Sequence, residues 1–493
     1  MSTIQIDQLT FRYPGADMPV FDKLSLNIDT NWRLGLIGRN GRGKTTFMNL
    51  LRGRLSGQGI IKNSVTFNYF PDSHIDGDQT VMSVMTETGA EEWQASMELD
   101  RIGLDETYEQ RVFETLSGGE QTRVLLARGF VNENDFPLID EPTNHLDIEG
   151  REAVGAYLKQ KQGFICVSHD ESFLNLFVDH VMSLNRSSVD LVAGNVDAWQ
   201  TDKSRRDNAA ETQNEHLRHR IKQLSSRANI QRDWAEKRER ESNDSASRRI
   251  AKKLMRRAKV FEQRTDTAIE QRKGLLNDVD QVDKLRTNVQ QTGGGQLLVS
   301  FRDFSVKRAD RPLFKPISLD FHRGDRLAII GPNGVGKTSL ISLIRGRESL
   351  NYDGYLMNAL PKDIGYLSQQ FTDFITDGSF DTWRDHHDAT TVWNLMHQLG
   401  VSRPRLKAPT SEWSMGEMKK AALAVSLSEP HEILIWDEPT NYLDIDARQQ
   451  LRTLLQQVQP TMILIDHDRH FIAETSTQEV ILKKVENDGN FHG

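Results

Sequence analysis

Only one cysteine, Cys166, stands in 493 residues, which excludes an internal disulfide, a thiolate zinc cage and a cysteine-held iron–sulfur cluster. What remains for it is the role of a small buried apolar residue in a strand. No run of 18 or more apolar residues occurs, so the sequence offers no membrane-spanning helix. The N-terminal MSTIQIDQLTF lacks the charged and then apolar pattern of a signal peptide, and a cytoplasmic location is expected. Proline is absent from 201–290 and glycine occurs there once, as Gly274. That stretch holds 23 Lys+Arg against 15 Asp+Glu, 23 − 15 = +8, whereas the whole chain is −8, leaving −8 − 8 = −16 elsewhere. Positive charge gathered in one helical stretch points to an anionic partner for that element.

What is present on either side of it is a set of phosphate-handling motifs. The segment WRLGLIG runs as a strand into Gly38-Arg-Asn40-Gly41-Arg-Gly43-Lys44-Thr45, followed by the helix-like TTFMNLLRGRL. This is G-x-x-x-x-G-K-[ST] in its strand-to-helix setting. Its glycines let successive N–H groups curl round phosphate oxygens, with Asn40, Gly41 and Thr46 in the same cradle. Lys44 brings a full charge to the outer phosphates of ATP, and the Thr45 hydroxyl is suited to Mg²⁺. Further on, Ser117-Gly118-Gly119-Glu120 opens a helical run, and the apolar Phe136-Pro-Leu-Ile ends in Asp140-Glu141. Asp140 is expected at the metal, and Glu141 is placed to polarise the attacking water.

The same set returns. Lys44 and Lys337 are 293 residues apart, Glu141 and Glu438 are 297 apart, and His169 and His467 are 298 apart, which is a duplicated domain. The second P-loop runs Gly331-Pro-Asn333-Gly334-Val-Gly336-Lys337-Thr338, with Ser339 after it, and Ile433-Leu-Ile-Trp ends in Asp437-Glu438. The second signature reads Ser414-Met415-Gly416-Glu417, with Met415 where the first copy has a glycine. The expected architecture is α/β: two tandem P-loop nucleotide-binding domains, 1–199 and 297–493, joined by a helical hairpin at 200–296.

These motifs, with Glu141-Pro-Thr-Asn-His-Leu-Asp147 and Glu438-Pro-Thr-Asn-Tyr-Leu-Asp444, resemble the ATP-binding cassette superfamily and its ABC-F branch over essentially the whole chain. GLIGRNGRGKTT, FPLIDEPTNHLD and the SMG signature look most like the Lsa-type group, which protects ribosomes against lincosamide, streptogramin A and pleuromutilin antibiotics. The resemblance makes His169 and His467 the switch histidines at the γ-phosphate, Tyr13 the aromatic that stacks on adenine, and Asp147 part of the loop between sites. It matches Val306 to Tyr13 in the second copy. It puts Gln369 at Mg²⁺ in the second site, where the first has Asp72. It implies head-to-tail pairing within one chain: the Lys44 loop meets the SMG signature and the Lys337 loop meets Ser117-Gly118-Gly119. A monomer is expected, and the second site is expected to hydrolyse the more conventionally.

In the linker, Leu217, Ile221, Leu224 and Ala228 recur at helical spacing, as do Leu275, Val279, Val282 and Val289. Helices of about 38 residues, roughly 57 Å long, would form the hairpin, with its tip near Glu239 to Ser247. Arg248, Arg249, Lys252, Lys253, Arg256, Arg257 and Lys259 place seven cations in twelve residues without an acid between them, a pattern suited to RNA phosphate. The ABC-F resemblance makes the partner the ribosome, with rRNA and tRNA near the tRNA exit site and peptidyl-transferase centre. A housekeeping translation factor is the alternative reading. The ATPase subunit of a transporter is a further one, which leaves the helical linker unexplained.

Overall fold

The computed structural model describes residues 2–16, 18–71, 75–132, 134–185, 188–240, 285, 289, 294–309, 311–376 and 389–485. Asp72, the seven cations from Arg248 to Lys259, the part of the expected hairpin tip beyond Arg240, Leu275, Val279 and Val282 lie outside them. The chain divides into two compact units: Met1–Asp197 with Val282–Gly493, and Ala198–Gln281.

The first unit contains the same design twice. In each copy a parallel sheet carries the P-loop strand near its middle. In the first, the order is 66–70, 135–140, 164–167, 33–37, 180–184, 189–193, parallel except for the final pair. In the second it is 364–367, 433–437, 462–465, 326–330, 478–481, all parallel. The central strands read as continuous apolar runs because both faces are covered. Leu34, Leu36, Phe136, Leu138 and Ile165 in one copy, and Ala328, Leu434, Ile435 and Trp436 in the other, are all but inaccessible to solvent. Each large side chain of this kind contributes about 1.5–3 kcal/mol of burial. The P-loop, the acidic pair and the switch histidine therefore emerge side by side at the carboxyl ends of neighbouring strands, where α/β sheets bind ligands.

Antiparallel strands Thr3–Phe11 and Leu297–Arg308 open the two copies, each pairing on both sides. Each carries one bulged residue at positive φ, Gln8 at 53° and Asp303 at 47°. The bulges fix the correspondence between copies, and it differs by two positions from the expected match. Phe11 corresponds to Val306, which is a wholly buried core residue, and Tyr13 corresponds to the exposed Arg308. The connection to the next strand is two residues shorter in the second copy, since Leu9 pairs with Leu24 and Phe304 with Ile317, 24 − 9 = 15 against 317 − 304 = 13, so offsets taken from the P-loops misplace the residues of the first strand.

The linker's first helix runs Val196–Arg240, 45 residues, or about 68 Å. It is longer than expected because it starts directly after the last strand of the first cassette. Its N-terminus is capped from a neighbouring five-residue helix, Glu171–Asn175: Asn175 Oδ1 accepts from Val196 N (2.9 Å) and Asp197 N (3.3 Å), and Asn175 Nδ2 donates to Asp197 Oδ1 (2.8 Å). Within Ala198–Gln281, Leu217, Ile221 and Leu224 are half-buried along one edge, with Asn214 buried beside them. Val289, expected on the stripe of a second linker helix, lies instead in the apolar core of the second cassette, in one cluster with Leu285, Phe371 and Met396.

Candidate ATP sites

A cleft of about 490 Å³ joins residues from both cassettes. Tyr13, Asn40, Gly41, Gly43, Lys44, Thr45 and Thr46 come from the first, with Asp140, Glu141 and His169, and Ser414, Met415 and Gly416 come from the second. The expected head-to-tail pairing of the Lys44 loop with the SMG signature is thus the observed one. Val20, Asn144 and Tyr442 also line the cleft; Asn144 and Tyr442 belong to the two motifs that follow Glu141 and Glu438, whereas no motif pointed to Val20.

The P-loop must bend where only glycine bends freely. Gly43 has φ 96°, and a Cβ there would come within 2.5 Å of Val20. Lys44 folds back over the loop and donates to Gly38 O (2.7 Å) and Arg39 O (3.3 Å). Lys337 does the same with Gly331 O (2.7 Å) and Pro332 O (3.1 Å). Burial lowers both ammonium pKa values, against the pull of Glu141 on Lys44 and of Glu438 on Lys337.

Ser117 and Ser414 cap their helices in matching capping boxes, accepting from Glu120 N (3.4 Å) and Glu417 N (3.3 Å). Both glutamates reach back to the serine N–H, at 2.7 and 2.8 Å. These glutamates therefore shape the signature rather than face a phosphate. Met415 is 40% exposed, while a Cβ on Gly416 would meet Asn40 Nδ2 at 2.4 Å and Tyr442 O at 2.9 Å. The glycine kept in the second signature is the one on which the other cassette rests.

At the acidic ends, Thr45 Oγ1 donates to Asp140 Oδ2 (3.2 Å) and Thr338 Oγ1 to Asp437 Oδ2 (3.0 Å). Tyr69 adds a hydroxyl to Asp140 Oδ2 (2.9 Å), while Gln369 Nε2 donates to Glu438 Oε1 (3.1 Å). Glu141 and Glu438 sit at φ 50° and 52°, a left-handed conformation that is costly for glutamate and marks functional sites. His169 Nε2 is 3.4 Å from Glu141 Oε1, and His467 Nε2 is 3.5 Å from Glu438 Oε1, long for hydrogen bonds. Burial pushes the Glu141 carboxyl up to about 7 against the pull of Lys44. At Glu438 burial acts the same way but is outweighed by His467, Lys337 and Lys419, and its pKa falls. Burial lowers the His169 imidazole well below its usual range.

The loops between the sites carry a two-sided carboxylate. Asp444 Oδ1 caps its own helix at Ala447 N (2.9 Å), and Oδ2 accepts from Asn40 N in the other cassette (3.2 Å). Asp147 repeats this with Gly150 N (2.8 Å) and Asn333 N (3.2 Å). Asp444 is further held by the buried Lys420 at 2.8 Å. Arg39, inside the first P-loop, pairs across with Asp446 at 2.8 Å. The signal for Arg39 was available in the sequence, as the difference between Gly38-Arg and Gly331-Pro at one P-loop position.

Two P-loop cassettes joined in this way define an ATP-binding cassette ATPase. The family model described as ABC transporter matches residues 21–144 and 314–441, and the chain belongs to that family. Within it the chain is a member of the ABC-F subfamily. It is 28% identical over 482 residues to the ribosome protection protein VmlR of Bacillus subtilis (strain 168), covering 95% of this chain and 85% of the relative. It is 29% identical over 483 residues to the ATP-binding protein Uup of Caulobacter vibrioides, covering 94% of this chain and 75% of the relative. Among solved structures, the archaeal ribosome recycling factor aABCE1, in complex with the ribosomal stalk protein aP1, matches with a TM-score of 0.59 at 17% identity. That match covers 96% of this chain and 87% of the other, and the likeness is one of fold. The chain binds and hydrolyses ATP. Among the described residues no helix is long and apolar enough to cross a membrane.

Proposed function

We propose that this ABC-F ATPase binds the ribosome, sets its helical linker by ATP binding and leaves after hydrolysis, protecting the ribosome from lincosamide, streptogramin A and pleuromutilin antibiotics. The observation that carries the reading is the paired site itself, in which one chain supplies both P-loops and a signature opposite the first. A relative named a ribosome protection protein, similar over 95% of this chain, supports the partner. The protein works in the cytoplasm as a monomer, and the linker cations from Arg248 to Lys259 contact rRNA.

Glu141 and Glu438 polarise water, His169 and His467 meet the γ-phosphate, and the two P-loops hold the phosphates. Tyr13, 43% exposed, with its hydroxyl 2.9 Å from Thr46 Oγ1, presents a face for adenine. The hydroxyl–carboxylate pairs Thr45 with Asp140 and Thr338 with Asp437 suit Mg²⁺, with Gln369 and Asp72 contributing one at each site. The ion would neutralise charge between the outer phosphates.

Ribosome co-sedimentation of the Glu141→Gln, Glu438→Gln double variant with ATP tests this reading: trapping is expected, and its absence overturns it. A housekeeping translation factor is the second reading, favoured by the equally similar Uup relative. Unchanged drug sensitivity in cells lacking the protein would select it.

A further inference from the structure

The helix that carries the second signature, Met415–Ser428, has two buried residues one turn apart that bear on Asn40 of the first P-loop. Gly416 lies against the Asn40 side chain, whose Nδ2 donates to Tyr442 O (3.1 Å). Lys420, four residues on, donates through Nζ to Asp444 Oδ2 (2.8 Å), the same oxygen that accepts from Asn40 N (3.2 Å). The other oxygen, Oδ1, accepts from Ala447 N (2.9 Å). One carboxylate thus joins three elements: the signature helix, the helix it caps and the P-loop of the other cassette.

The side chains of Lys420 and Asp444 are only 4% and 3% exposed. Charges this deep persist as a pair, and removing one partner strands the other. With both oxygens engaged, the carboxylate has one orientation, and Lys420 fixes the oxygen that faces Asn40. The first cassette uses the matching position otherwise. Arg123 stands six places after Ser117, as Lys420 does after Ser414. It donates to Gly103 O (3.2 Å), just beyond helix Glu92–Arg101 of its own cassette. Among the described residues this tie from signature helix to facing P-loop is a feature of the first site, the one whose signature has Met415 in the place of Gly118.

We propose that Lys420 is a positioning residue for ATP at the first site: from the signature helix it holds Asp444 against Asn40 N, so that the signature and the first P-loop are set together. Where the signature has lost a glycine, alignment comes from one turn further along the same helix. The proposal rests on the reading of the Lys44 loop as an ATP site.

The test uses the full chain carrying Lys337→Met, so that ATP binding, measured by isothermal titration, reports on the first site. Lys420→Met is expected to weaken ATP binding roughly tenfold or more, the scale of one charge-assisted hydrogen bond. In a Lys44→Met chain, which reports on the second site, the same substitution is expected to leave ATP affinity within about twofold, as a change distant from that site should. The double variant Lys420→Met, Asp444→Asn no longer strands a charge; it keeps the parent's urea midpoint and the weak binding at the first site. Unchanged first-site affinity in Lys420→Met overturns the proposal, and so does an equal loss at both sites. A double variant that regains affinity together with stability also overturns it, since Lys420 would then be a counterion of Asp444 alone. Adding Lys44→Met to the Lys337→Met chain separates the two ideas: if it leaves ATP binding unchanged, the reading of the Lys44 loop has failed; if it abolishes binding while Lys420→Met does not weaken it, only the role of Lys420 has failed.

Discussion

The two joints between the cassettes are built from the same frame but fastened differently. At the first P-loop, Arg39 reaches Asp446, Asn40 donates to Asp444 and to Tyr442 O (3.1 Å), and Lys420 locks Asp444 from within. At the second, Pro332 stands where Arg39 does, and Asn333 N donates to Asp147. The nearby ion pair there, Arg469 with Glu152 at 3.1 Å, leaves its side chains 65% and 54% exposed. Partly buried charge pairs hold, whereas exposed ones contribute little. Among the described residues the buried charge pairs thus gather at the first joint. That joint belongs to the site whose signature has Met415, while the other belongs to the site with an unaltered Ser117-Gly118-Gly119. The expectation that the second site hydrolyses the more conventionally puts charge-paired docking and conventional turnover at different sites.

The largest test of that division is catalytic. Glu438→Gln is expected to lower ATP turnover by about 100-fold or more, and Glu141→Gln by less; steady-state phosphate release measures both, and the reverse order breaks the comparison. Next comes stability. Asp444→Ala strands the buried Lys420 and should cost about 3–5 kcal/mol, whereas Asp147→Ala loses chiefly a helix cap, about 1 kcal/mol. Urea unfolding compares the two, and equal losses would mean the joints are equivalent.

The same carboxylate gives a pH test. Burial raises the Asp444 pKa, but Lys420 and the hydrogen bonds outweigh it and hold the group far below its usual range. Its contribution to stability is therefore complete above about pH 4 and is lost as pH falls toward its folded pKa. Acid titration of the Asp444→Asn variant should lack that component. The smallest contrast is Arg39→Ala, expected to cost about 1 kcal/mol, against Arg469→Ala, expected near zero. Thermal melting of both variants sharpens the comparison.

Much of this was legible because phosphate chemistry demands particular residues at fixed spacing. Lys44, Lys337, Glu141, Glu438 and the switch histidines belong to motifs that cannot vary far without losing their function. What was not legible depends on residues distant in sequence meeting through the fold. A connection two residues shorter after the first strand of the second copy put Val306 opposite Phe11 rather than Tyr13, and the P-loop offset alone did not show where the two residues were lost. Val289 fitted a linker periodicity but is claimed by the second cassette's core. Lys419 and Lys420 read as ordinary cations of a helix, and only the packed structure reveals that both are buried among acids. Arg39 was visible as a difference between two P-loops, but its partner Asp446 lies on the other cassette.

Asn175 links two features that the sequence keeps apart. Its short helix begins at Asp170, which caps it by accepting from Phe173 N (2.9 Å), directly after His169. Its side chain then seats the first turn of the 45-residue helix. The residue that caps the first turn of the linker helix thus lies six residues after the switch histidine, so one five-residue helix carries both the end of the γ-phosphate loop and the start of the linker.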